Sequence, residues 1–124
     1  MEQKLVTYKV AKALKEAGYP QGLTTYRYLT KETEYFNEGT LMDSFGVIAY
    51  VDNTADATTY IDAWLWLWRE KGIMIDTLRI EDCVEVSVYT DDLECLYIYD
   101  QVYPDPEEAI ANAIDYLVEN NLIK

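Results

Sequence analysis

The stretch that most constrains the fold is 59-TYIDAWLWLWREKG-72, which holds all three tryptophans, at 64, 66 and 68. Aromatic residues at every second position have the period of a strand. The flanking residues point elsewhere. Thr59 and Asp62 have the spacing of a capping box, with Asp where Glu is commoner. Ala63 and Leu67 follow at helical spacing, and Arg69, Glu70 and Lys71 precede Gly72, a stop signal. Cap, body and stop predict a helix over about Tyr60–Lys71. At 100° per residue, Tyr60, Ala63, Trp64 and Leu67 share one face. Ile61 and Trp68 flank it on one side, Trp66 on the other, and Asp62 and Arg69 lie opposite. The alternation then carries no structural meaning, and Trp64 is expected at the core. So wide an apolar arc predicts two neighbours, either a sheet plus a second helix or a sheet plus another chain.

A second helix is expected over residues 7–19. Val10, Ala11, Leu14 and Ala17 recur at helical spacing, Thr7 is the N-cap, and Gly18 ends the helix ahead of Tyr19 and Pro20. The last helix is the clearest. Asp105 caps it, Pro106 sits at N1, and Glu107 and Glu108 complement the helix dipole. Ala109, Ile110, Ala113, Ile114, Leu117 and Val118 form its apolar stripe, to about Glu119. Between residues 24 and 52, TTYRYLT and GVIAYVDN read as two strands joined by a polar connection.

Residues 72–80 read as a strand with Ile73 and Ile75 inward. In 83-CVEVSVYTDDLECLYIYD-100, Val84, Val86 and Val88 alternate with Glu85, Ser87 and Tyr89, then Leu96 and Ile98 with Cys95, Tyr97 and Tyr99. This is a hairpin. Pairing the valines with Leu96 and Ile98 requires a three-residue loop, Thr90–Asp92 or Asp91–Leu93. Cys95 then faces Ser87 or Tyr89. It lies about 13 Å along the strand from Cys83, too far for a disulfide, so two free thiols are expected. The expected class is α+β, with three helices packed on an antiparallel sheet of about four or five strands, in the order α-β-β-α-β-β-β-α. With 124 residues and no linker or repeat, one globular domain spanning 1–124 is expected.

Ten basic residues against 23 acidic ones leave a net charge of −13. Direct binding to nucleic acid or anionic lipid is disfavoured, since both require cationic partners. An acidic protein suits a basic protein surface, or imitates nucleic acid at one, although charge also serves solubility. The N-terminal MEQKLVTYKVAKALKE lacks the apolar stretch of a secretory signal, and no apolar run is long enough to span a membrane. A cytoplasmic location is expected.

The chain has no histidine and two cysteines. That removes Ser-His-Asp and Cys-His catalysis, histidine zinc sites and a Cys₄ site. The chemistry left is carboxylate: Asp91, Asp92 and Glu94; Glu81, Asp82 and Glu85; and the loop 52-DNTAD-56. DNTAD lacks the spacing and glycine of an EF-hand. No metal, cofactor or enzymatic activity is expected. Twelve tyrosines suit strands and protein interfaces alike. Trp66, Tyr89, Tyr97 and Tyr99 are the interface candidates.

Three short motifs carry a resemblance. They are 14-LKEAGY-19, Ala63-x-x-Trp66-Leu67 followed by 70-EKGI-73, and 106-PEEAI-110 followed by Ala113-Ile114. The chain resembles a family of small uncharacterised proteins carried by phages and prophages of gut Bacteroides. It departs from that family in lacking a tryptophan-aromatic strand before the terminal hairpin. It also places Trp68 where a charged residue is usual. The family has no assigned activity, so the resemblance implies a phage context and no mechanism. The expected function is that of a non-enzymatic accessory protein acting through a protein partner or as a homodimer. The alternatives are an acidic nucleic-acid mimic that inhibits a host defence or DNA-binding protein, and a carboxylate metal-dependent enzyme.

Overall fold

The computed structural model describes residues 3–43, 53–91, 94–98 and 101–123, with backbone alone at 96–98. Its elements run α1 (Tyr8–Glu16), β1 (Tyr26–Leu29), β2 (Leu41–Asp43), β3 (Thr54–Asp56), α2 (Tyr60–Lys71), β4 (Ile73–Ile80), β5 (Cys83–Thr90), β6 (Cys95–Ile98) and α3 (Pro106–Glu119). The class is α+β, with three helices and two antiparallel sheets among the described residues, ordered β2-β1-β3 and β4-β5-β6. A single sheet was expected, and among the described residues three strands precede α2 where two were expected. The chain divides into two compact units, one of Met1–Lys4 with Tyr60–Lys124 and one of Leu5–Thr59.

In the Leu5–Thr59 unit, α1 packs on β3. Thr7 Oγ1 accepts a hydrogen bond from the Val10 N–H at 3.4 Å, as its N-cap role requires. The helix closes in a Schellman motif. Gly18, at φ +103°, donates to the Lys15 carbonyl, and the Tyr19 N–H reaches back to Leu14 at 2.9 Å. Val6, Val10, Ala11, Leu14, Leu29 and Ala55 are buried.

One segment departs from expectation. Asp56 is not a loop carboxylate, because Thr54–Asp56 is β3 and Asp56 is 2 % exposed. Its carboxylate accepts the Gly22 and Leu23 N–H groups at 3.0 and 2.8 Å. Arg27, also buried on the neighbouring β1, brings its Nε to 3.5 Å of the same carboxylate. Burial of a carboxylate is tolerated where donors and a cation satisfy it. The alternation of β1 thus turns Arg27 and Leu29 inward, and Tyr26 and Tyr28 toward the more exposed side. The strand expected over GVIAYVDN falls almost wholly outside the described residues.

In the other unit, α2 and α3 pack on each other, and both pack on β4. Asp105 Oδ1 accepts the Glu108 N–H at 2.8 Å, and Pro106 stands at N1. Every residue of the expected α3 stripe is buried. Each large aliphatic side chain among them contributes about 1.5–3 kcal/mol. β4 and β5 pair from Ile73 opposite Thr90 to Ile80 opposite Cys83, around a two-residue turn whose first residue, Glu81, has φ +56°. Ile73, Ile75, Val84, Val86 and Val88 face inward.

The second hairpin keeps its three-residue connection. The Thr90 N–H donates to the Glu94 carbonyl at 2.9 Å, and the Glu94 N–H to Thr90 Oγ1 at 3.1 Å. Cys95 stands opposite Tyr89, and both thiols are free. The register beyond this point is corrected. A bulge between Val88 and Tyr89 sets Val88 opposite Tyr97 and Ser87 opposite Ile98, not valines opposite Leu96 and Ile98. A bulge adds one residue to one strand and shifts every later pair.

Candidate interaction surface

The buried residues of α2 are Tyr60, Ala63, Trp66 and Leu67. Compared with the wheel drawn from sequence, the buried face is rotated by about 40°, at 100° per residue, toward Trp66. The rotation accompanies the packing of α2 on both α3 and β4. Trp66 is the buried tryptophan, at 8 % exposure, and Trp64, expected at the core, is half-buried. The Lys71 ammonium lies 5.6 Å from the centre of the Trp66 ring, a cation–π contact that caps its rim. At the other end of the helix, the Tyr60 N–H donates to the Lys4 carbonyl, and Tyr60 Oη donates to Asp115 Oδ1 at 2.7 Å. Burial raises the Asp115 carboxyl above the usual carboxylate range; the Tyr60 hydrogen bond pulls the other way.

Rotating one stripe inward leaves another outside. Ile61, Trp64, Leu65 and Trp68 stand at i, i+3, i+4 and i+7, the spacing of a helix face. Ile61 and Trp64 are half-buried, while Leu65 and Trp68 are 41 % and 57 % exposed. Beyond Trp68 the surface runs into a shallow cleft of about 630 Å³ that includes Arg69, Lys71, Gly72, Met74 and Asp91. Glycine is favoured at position 72 by its backbone and by its neighbour. Its φ is +63°, and a Cβ would lie 2.8 Å from Asp91 Oδ2.

Met74 leads onto the outer face of the second sheet. On β4 that face carries Met74, Asp76, Leu78 and Ile80, paired in register with Tyr89, Ser87, Glu85 and Cys83 of β5. Leu78 is 61 % exposed and Ile80 40 %. Asp76, Leu78, Glu85, Ser87 and Tyr89 line a second cleft of about 460 Å³. The outer face therefore joins exposed aliphatic residues to half-buried polar and aromatic ones.

Of the interface candidates, Tyr89 lies on this outer face and is half-buried. Trp66 lies inside, against the fold. The backbone of Tyr97 lies in β6 opposite Val88, and Tyr99 falls outside the described residues. Leu65, Trp68, Met74 and Leu78 are the surface residues that the tyrosine count passed over. The i, i+3, i+4, i+7 spacing from Ile61 to Trp68 was the available signal.

The acidic clusters take ordinary positions. Glu81 and Asp82 form the turn between β4 and β5, Glu85 lies on the outer face, and Asp91 abuts Gly72. Among the described residues, no three Cys, Asp or Glu side chains gather as a metal site requires. No helix among them is long and apolar enough to cross a membrane. The chain matches no protein-family model, no curated protein and no solved structure.

Proposed function

We propose that this protein works by protein–protein contact, as a non-enzymatic accessory protein in a phage or prophage context inside the host cell. The observation that carries the contact reading is the second apolar stripe of α2, where Leu65 and Trp68 are 41 % and 57 % exposed. A tryptophan is a costly residue to leave in water, and tryptophan is enriched at the energetic centres of interfaces. The lack of histidine supports a role without acid–base catalysis. The phage context is supported by the resemblance carried by 14-LKEAGY-19, 70-EKGI-73 and 106-PEEAI-110.

The test is a paired capture from host lysate, with wild type and Trp68→Ser as baits. Trp68 is exposed, so the variant keeps the fold, which circular dichroism verifies. A partner, or a second copy of the bait, held by wild type and released by the variant is the expected result. Equal recovery by both baits overturns this surface as the contact.

A further inference from the structure

We infer that the second stripe of α2 is where two copies of this chain meet, with their α2 helices antiparallel about a two-fold axis. The inference rests on the reading of that stripe as an interface and names its occupant. The stripe is self-complementary. Asp62 and Arg69 are both exposed and lie on the same border of it, the acid near its start and the base near its end. An antiparallel two-fold places Asp62 of one copy beside Arg69 of the other, twice per dimer. Ile61 then meets Trp68 of the second copy, and Trp64 and Leu65 meet at the axis. A parallel two-fold would put the two copies of this border on opposite sides of the seam and form neither pair. The antiparallel arrangement also opposes the two helix dipoles. A basic partner fits the stripe less well, because Arg69 and Lys71 stand at its end.

The net charge of −13 per chain opposes the dimer and gives it a signature. Repulsion between two acidic molecules is screened by salt, with a Debye length of about 8 Å at physiological ionic strength, while apolar burial is not. The dimer therefore tightens between low and physiological salt. An acidic protein bound to a basic partner does the reverse.

The test is sedimentation equilibrium on the full chain across a salt series, with circular dichroism confirming each variant's fold. Wild type is expected to form a reversible dimer, weakened about tenfold or more by Trp68→Ser. Asp62→Arg and Arg69→Asp each weaken it, and the doubly exchanged variant recovers to within about threefold of wild type. A dimer indifferent to Trp68→Ser, or unrepaired by the exchange, overturns the proposal. So does a wild-type chain that stays monomeric throughout the series. If that monomer still captures a protein that Trp68→Ser releases, the interface reading stands and only the second copy is wrong. If capture ignores Trp68, both fail.

Discussion

Asp56 is buried and Asp115 half-buried, each by different means, and the two should respond differently to mutation. Asp56 has a cation and two backbone donors on its oxygens, and Arg27 beside it is buried as well. Arg27 Nε makes no hydrogen bond, so the pair is held by charge and by the loop donors. Removing Asp56 strands a buried guanidinium and two N–H groups. Asp56→Ala should therefore cost about 3–5 kcal/mol in denaturant unfolding, whereas replacing both partners by apolar residues of similar size should cost far less. Asp115 accepts the Tyr60 hydroxyl, with Lys4, Glu108 and Glu119 as charged neighbours. Its pKa is raised chiefly by burial, so the folded state holds the proton more tightly than the unfolded chain does. The cost of the buried charge is present at neutral pH. It is relieved as pH falls through the raised value toward the unfolded one, about 4. Asp115→Asn keeps an acceptor for Tyr60 and cannot titrate. Melting temperatures should show wild type gaining on this variant from neutral pH down to about 4, and a constant difference above neutrality.

Helix α2 shows how caps and packing divide the work of building an element. Its boundaries follow from local chemistry, since Gly72 takes φ +63° and the next residue begins β4. Its rotation follows from α3 and β4 together. Gly72 also carries a packing constraint, because a Cβ there meets the Asp91 carboxylate at 2.8 Å. Gly72→Ala should destabilise by about 1–3 kcal/mol, part from the left-handed backbone and part from the contact. In a double-mutant cycle with Asp91→Ala, the contact share should vanish and the backbone share remain. An additive cycle would mean that Asp91 swings away at no cost. The hairpin of β5 and β6 differs in kind from the helices. Its loop length and the pairing of Cys95 with Tyr89 follow from alternation, yet one bulge moves the remaining register.

At the scale of the molecule, charge decides more than shape. With 23 acidic residues against ten basic ones, the net charge disfavours contact with a phosphate backbone. Labelled duplex DNA should show no shift with this protein at physiological salt, nor at lower salt, where cationic binders tighten. A shift that strengthens at low salt would require a basic patch that the composition scarcely allows. The same charge makes salt stabilise any self-association, which separates a homodimer from a complex with a basic partner.

Sequence alone determined what depends on near neighbours. The caps at Thr7 and Asp105, the stop at Gly18, the apolar stripe of α3 and the inward valines of β5 all answer to residues within a few positions, through backbone donors and a fixed period. Only the tertiary structure decided the rest. Asp56 reads as a loop carboxylate until Arg27, 29 positions earlier, is laid beside it. Trp66 reads as one flank of a wide apolar arc, its cover unnamed, until the packing of α2 on α3 and β4 sets the direction in which the helix buries its side chains. A helical wheel fixes angles between residues but not the angle of the wheel. That single rotation puts Trp66 inside and leaves Leu65 and Trp68 in water.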